Sequence, residues 1–389
     1  MTGKQIILEF GEIAELRKEK FDPEKNQTSR ECIELEHLEQ STGRLLGSVN
    51  SSSQKSSKNV FYKGDILFGK LRPYLKKYWL AEFDGVCSSE IWVLIPKKNR
   101  TTQRYLFYLI QSDQFVQAAN VSSGSKMPRA DWNFIINCPL SIINSLEEQT
   151  AIANLLSTWD KAIETTQKLI AQKELRKKWL MQMLLTGKKR VKGFDKEWKE
   201  VHIRDVSKEV SLRNKEDKVV TVLSCTKYEG LVPSLEYFGR KLFANDLTTY
   251  KIVPINHFAY ATNHIEEGSI GYQKSFEEAL ISPMYTVFKT DESINNYFLF
   301  RLLKSHRLIY EYNARMEGSI DRRGGLRWNV FSSIKIDLPS YEEQTAIAQI
   351  LSSADKEILL LQSKLEKLKE QKKGLMQVLL TGKKRLIPE

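Results

Sequence analysis

At 389 residues the chain is long enough for two or three domains, each with its own core, and with 41% hydrophobic residues it is not a disordered chain. Sixty Lys and Arg against 48 Asp and Glu leave a formal charge of +12, which points toward a polyanionic partner. No run of about 18 apolar residues and no signal peptide at the start argue against a membrane span or export, and Cys32, Cys87, Cys138 and Cys225 form no C-x-x-C pair, so reduced cytoplasmic thiols are expected rather than disulfides or a thiolate metal site.

In chain order the sequence reads as head, long helix, head, long helix. The first head, residues 1–146, carries short β-type runs at 65–68 and 90–95, the latter ending at Pro96, and one helix-like stretch from Gln103 to Ala119. A long helix then occupies 147–190. The second head, 191–341, repeats the order, with β-type runs at 257–261 and 284–288 and a helix-like stretch from Tyr297 to Tyr312; the second long helix and tail take 342–389.

An internal repeat organises this layout. Glu147-Glu-Gln-Thr-Ala-Ile-Ala returns at Glu342, and Leu180-Met-Gln-Met-Leu-Leu-Thr-Gly-Lys-Lys-Arg returns at Leu375 with one change, both at an offset of 195 residues. Two copies are too few for a solenoid and imply a duplicated module with a pseudo-two-fold. Between the matches runs a heptad seam: Ile152, Leu156, Trp159, Ile163, Thr166, Ile170, Lys173, Lys177, Leu180 and Leu184 in the first copy. The second copy has Ile347, Leu351, Ala354, Ile358, Leu361, Leu365, Leu368, Lys372, Leu375 and Leu379. Gly187 and Gly382 stop the helices, and the Lys-Lys-Arg after each reads as a complement to the helix C-terminus. A head must return the chain from the end of one helix to the start of the next, which is shortest if the helices run antiparallel. The expected fold is therefore α+β: two β-rich globular domains joined by an antiparallel coiled coil of two long helices, a dumbbell.

Catalytic motifs are weak by comparison. Gly64-Asp-Ile-Leu-Phe-Gly-Lys70 has phosphate-loop spacing, but Leu71 replaces the hydroxyl that would hold magnesium, and the match lies in an apparent strand. Asp195 with Glu197-Trp-Lys199 lies in a connector, and His257 and His264 have no partner at metal-ligand spacing, so no catalytic residue and no metal site is expected. Basic loops interleaved with aromatic and small polar residues carry more. In the first head they offer Lys70, Arg72, Tyr74, Lys76, Lys77, Ser125, Lys126 and Arg129; in the second, Asn263, His264, Lys274, Arg315, Arg322, Arg323 and Arg327. Lys and Arg neutralise phosphates, and Arg and Asn also read guanine and adenine edges bidentately, so these residues are the candidate DNA contacts.

The paired E-E-Q-x-x-I-A helix starts, the L-L-T-G-K helix ends, Gly193-Phe-Asp-Lys-Glu-Trp198 at the entry to the second head, and Gly64-Asp-Ile-Leu with Lys70-Leu-Arg-Pro-Tyr-Leu75 together resemble the specificity (S) subunit of a type I restriction-modification enzyme. The chain departs from it in starting almost at the first head. The resemblance implies two target recognition domains, each reading half of a split DNA site, with the helices setting the spacer. It implies a non-catalytic subunit with no cofactor of its own, two methyltransferase subunits using S-adenosylmethionine to methylate adenine at N6, and motor-nuclease subunits using ATP and magnesium. The competing reading is a coiled-coil scaffold joining two protein-binding modules. An enzyme fusion with its own methyltransferase is disfavoured by the missing motifs.

Overall fold

The computed structural model describes residues 5–26, 28–121, 127–216, 218–317 and 325–386. Contacts divide the chain into two units, Met1–Lys168 with Ser363–Glu389, and Leu169–Gln362. Each unit is a head, the start of one long helix and the end of the other. Among the described residues no helix is long and apolar enough to cross a membrane.

The heads share one frame. In the first, an antiparallel four-stranded sheet runs in the order Ala14–Leu16, Ile91–Pro96, Ile66–Gly69, Tyr78–Leu80; in the second, the order is Ser207–Val210, Tyr285–Thr290, Phe258–Ala261, Ile270–Tyr272. A two-stranded ladder closes each frame, Gln5–Glu9 with Pro139–Ile143 and Lys199–His202 with Lys335–Leu338. The β-type runs read from sequence are thus the central strands of these sheets, buried over most of their length. The additions differ. The first head carries a five-stranded sheet, Lys20–Phe21, Lys58–Phe61, Gly85–Cys87, Glu31–Ile33, Val49–Asn50, where the second has two separate ladders, Leu223–Thr226 with Gly230–Pro233 and Lys251–Pro254 with Glu278–Ile281.

The helix-like stretches are each two helices rather than one. Gln103–Leu109 and Asp113–Ala119 break at Ser112, whose hydroxyl accepts the Phe115 N–H; Asn296–Leu303 and His306–Glu317 break at Lys304–Ser305, where the Ser305 hydroxyl accepts from Leu308. A capping serine offers the backbone a local partner and restarts the helix in a new direction. The phosphate-loop spacing is likewise a strand: Asp65 is buried, accepts the Tyr62 N–H and grips Arg17 Nε at 2.6 Å.

Both long helices are 39 residues, Leu146–Leu184 and Tyr341–Leu379, about 58 Å each at ~1.5 Å per residue. Their seam is buried along its length: Ile152, Leu156, Thr166, Ile170, Leu184, Ile347, Leu351, Ile358, Leu365 and Leu379 fully, and Trp159, Ile163, Leu180, Leu361, Leu368 and Leu375 in part. In the first unit Ile152 and Leu156 share a core with Leu379 and Leu380; in the second, Leu184 and Leu185 share one with Ile347 and Leu351. The start of one helix meets the end of the other, which is an antiparallel coiled coil. Each fully buried aliphatic side chain contributes about 1.5–3 kcal/mol. The polar seam positions are paired: Lys372 with Asp160 at 2.6 Å, Lys173 with Glu357 at 2.5 Å, and Lys177 with Asp355.

The two repeated motifs turn out to be halves of one contact. Arg190, after the end of the first helix, grips Glu343 at the start of the second through two bonds of 2.7 and 2.6 Å, and Trp198 donates to the same carboxylate at 3.2 Å. Arg385 grips Glu148 in the same way, with the Leu386 N–H at 3.0 Å. The arginine of each Lys-Lys-Arg therefore complements the other helix's start rather than its own helix's end. The adjoining Gln149 accepts the Thr102 N–H at 2.8 Å and donates to the Arg100 and Ile143 carbonyls; Gln344 accepts from Asn295 and donates to Ser293 and Pro339. One residue of the motif ties helix to helix and the next ties helix to head. Gly187 and Gly382 stand at φ +68° and +69°, turning the chain so that the arginines reach back.

Two outcomes follow from this packing. Glu148 is almost fully buried and accepts from both the Arg385 guanidinium and the Leu386 N–H, so Glu148→Ala removes the clasp and should lower stability in urea unfolding by about 2–4 kcal/mol; a loss below about 1 kcal/mol, the value of an exposed pair, would show that the clasp does not hold the helix ends. Burial pushes the Asp355 carboxyl up, but bonds from Lys177 and Tyr297 and the charge of Arg301 outweigh it and hold the group below its ordinary 3.8. A carboxyl depressed in the folded state stabilises it above the unfolded value, and that gain is lost as pH falls through the folded value. Unfolding titrations should therefore show less loss of stability below about pH 4 in Asp355→Asn than in the wild type.

Candidate nucleic-acid interface

Each head's frame ends its central strand in a loop, and a distant segment is pinned to that loop by backbone bonds. In the first head the Lys70 N–H donates to the Glu90 carbonyl at 2.9 Å, Ala130 donates to Lys70 at 2.9 Å, and Arg72 donates to Pro128 at 2.8 Å. In the second, Leu326 donates to the Thr262 carbonyl at 2.8 Å, and the Thr262 hydroxyl donates to the Met284 carbonyl at 3.1 Å. Loops that the sequence shows as separate, 69–79 with 127–132 and 260–264 with 325–328, are thus one surface in each head. The pinned segment then enters a short helix whose first residue anchors it: Trp132 packs on Phe10 and Trp92, Trp328 on Phe288 and Phe331.

The first loop is shaped around Arg72. It stands at φ +52°, a left-handed conformation that costs a non-glycine residue about 1–2 kcal/mol, held by its bond to Pro128 and by the helical turn Pro73–Leu75 that starts on it. Arg72 and Tyr74 are exposed, and Arg129 stands across the backbone bridge from Leu71, its Nε on Glu90 at 3.0 Å. Lys70 is half-buried beside them. Lys76 and Lys77 turn elsewhere: the Lys76 ammonium lies 3.7 Å from Asp113, in a groove it shares with Arg104, Lys369 and Lys373, and Lys77 donates to the Leu35 carbonyl at 2.6 Å.

In the second head Asn263, half-buried, and His264 and Arg327, exposed, lie in the joined loops. Lys274 is at the opposite end of the hairpin, next to Gln273, which bonds the His257 carbonyl, and Arg315 is paired along its own helix with Glu311 at 3.5 Å. Ser125, Lys126, Arg322 and Arg323 lie outside the described residues. His264, Glu266 and Glu267 bring one ligand atom each within 4.8 Å, which corrects the expectation that His264 has no partner at ligand spacing: the tight turn Ile265–Glu267 that starts on His264 gathers side chains that spacing along the chain does not. Glu90 and Met284, which open the β-type runs 90–95 and 284–288, are legible as strand residues but not as parts of the joined loops.

The family model for the type I restriction modification DNA specificity domain matches residues 7–174 and 195–370. The chain belongs to that family. It is 28% identical over 327 residues to the MjaVIII specificity subunit of Methanocaldococcus jannaschii, covering 78% of this chain and 75% of that one, and 27% identical to the putative MjaX specificity subunit of the same organism, covering 88% and 83%. The fold is that of the HsdS subunit from Thermoanaerobacter tengcongensis, with a TM-score of 0.56 at 18% identity over 97% of both chains, and of the S subunit from M. genitalium, with a TM-score of 0.58 at 15% over 97% and 96%. The family's two matches each hold one head with most of the long helix that follows it.

Arg72→Ala should weaken duplex binding of every sequence and reduce the salt slope by about one if it contacts a phosphate, with no change in melting temperature, whereas Lys77→Ala should lower stability and leave the slope alone. Fluorescence anisotropy across a salt series, with thermal melts of both variants, separates the two.

Proposed function

We propose that this chain is a non-catalytic specificity subunit that reads a split, asymmetric DNA site, one half per head, and directs adenine methylation and restriction by partner subunits. The observation that carries the reading is the pair of joined loops: one backbone frame, present in both heads of a chain of this family, presents different side chains in each. A constant frame with variable tips is what recognition of two different half-sites requires. The net charge of +12 suits the phosphate backbone, which supplies sequence-independent affinity.

The partners of this reading are double-stranded DNA, two methyltransferase subunits and motor-nuclease subunits. S-adenosylmethionine, ATP and magnesium belong to those partners, with no cofactor on this chain, and the assembly acts in the cytoplasm. The helices set the distance between the half-sites. Duplicating the seven residues from Thr166 and the seven from Leu361 keeps both seams in phase and lengthens each helix by about 10 Å, close to three base pairs at ~3.4 Å. The complex reconstituted with methyltransferase subunits should then methylate sites with a longer spacer and unchanged half-sites, read by mapping methylated adenines in a random library. An unchanged spacer in a folded, active variant would move the ruler to the partner subunits. Methylation by this chain alone would remove the non-catalytic assignment.

A further inference from the structure

Structurally matched positions in the two loop pairs carry different chemistry. Ala130 and Leu326 make the same backbone bond, to Lys70 and Thr262, so Arg129 occupies in the first head the position of Gly325 in the second; the carbonyls of Glu90 and Met284 likewise occupy matched positions. Gly325 is required where it is. It stands at φ +59°, and a Cβ would lie 2.4 Å from Asn263 Oδ1 and 2.7 Å from the Thr262 carbonyl. The second head therefore excludes a side chain where the first presents a guanidinium.

Arg129 and Glu90 meet through Nε and Oε2 at 3.0 Å, with half of the Arg129 side chain and 28% of that of Glu90 exposed. An exposed pair of this kind adds about 0–1 kcal/mol to stability, too little to explain its place on the loop surface. Its geometry has another consequence. A carboxylate on Nε fixes the plane of the guanidinium without using Nη1 and Nη2, the parallel donors that match O6 and N7 of guanine. Glu90 immediately precedes the strand Ile91–Pro96, with its own carbonyl bonded to Lys70, so its backbone is fixed at the sheet's edge.

We propose that Arg129 reads a guanine in the half-site bound by the first head, with Glu90 as its positioning residue, and that the matched position of the second head, Gly325, makes no equivalent contact. The inference rests on the specificity-subunit reading and names one base that it leaves open. The test is methylation mapping on a random library with the reconstituted complex carrying wild-type, Arg129→Ala, Arg129→Lys, Glu90→Ala or Glu90→Gln chains, with thermal melts as a folding control. Arg129→Ala should lose about ten- to a hundredfold in preference for guanine at one position of one half-site, leaving the other half-site intact. Arg129→Lys should lose the same preference while keeping the salt dependence, because an ammonium keeps the charge but not the fork. Glu90→Ala should relax the same position, and Glu90→Gln, which keeps an acceptor there, should restore most of it.

A uniform drop across all sequences in Arg129→Ala, with full preference retained in Arg129→Lys, would make this a phosphate contact and overturn the proposal. So would a guanine preference untouched by any of the four variants. A wild-type complex that selects no split site would instead overturn the specificity reading, and the assignment of Arg129 with it.

Discussion

A carboxylate buried at the start of each long helix takes its countercharge from the end of the other, and this exchange governs the rest of the molecule. Glu148 and Glu343 are each almost completely removed from water, a position a carboxylate tolerates only when paired and hydrogen-bonded. Arg385 and Arg190 answer them across sequence separations of 237 and 153 residues. A residue just past a helix end that must reach a residue at another helix's start permits only antiparallel packing, in one register. The same register then sets Lys372 against Asp160 and Lys177 against Asp355 within otherwise apolar seams.

From the clasp the order passes outward to the heads. Gln149 and Gln344, next to the clasped glutamates, hold the segments that begin the helices of each head, and Tyr108 and Tyr297 lean on the same Asp160 and Asp355 that the seam lysines grip. Each head is therefore fixed to the helix pair by polar groups that are duplicated along with the helices. The joined loops hang from the ends of the central strands, and none of the bonds that join them involves Gln149, Gln344, Tyr108 or Tyr297. The bonds that join the loops are backbone to backbone in the first head, and in the second the Leu326–Thr262 backbone bond is joined by one from the Thr262 hydroxyl to the Met284 carbonyl, so most side chains at the loop tips are left out of the joins.

Much of this is legible in the sequence. The 195-residue repeat, the two heptad seams, the glycine stops and the heads' matching order of elements all rest on local chemistry: apolar spacing, helix caps and turn residues act within a few positions, so they are written in the chain itself. The short runs at 65–68, 90–95, 257–261 and 284–288 are likewise legible as strands, within two residues of the observed Ile66–Gly69, Ile91–Pro96, Phe258–Ala261 and Tyr285–Thr290. The helix-like stretches were read as single helices because periodicity is blind to a break in direction when the serine that makes it is an ordinary polar residue.

Contacts between distant positions were decided elsewhere. Nothing local marks Arg190 as the partner of Glu343, Glu90 as the partner of Arg129, or 127–132 as the neighbour of 69–72, because each pair is joined only after the sheets have formed and brought strand ends side by side. The charges in the basic loops look equivalent in sequence; the fold sets Lys77 on the Leu35 carbonyl, Lys76 beside Asp113 and Arg129 on Glu90, and leaves Arg72 and Arg129 exposed at the joined loops. The chain alone determined that there are two alike modules and two long helices, since those follow from spacing along the backbone. Which charges are bound inward and which remain to meet another molecule depended on distances through space, which only the folded sheets and the clasped helix pair could set.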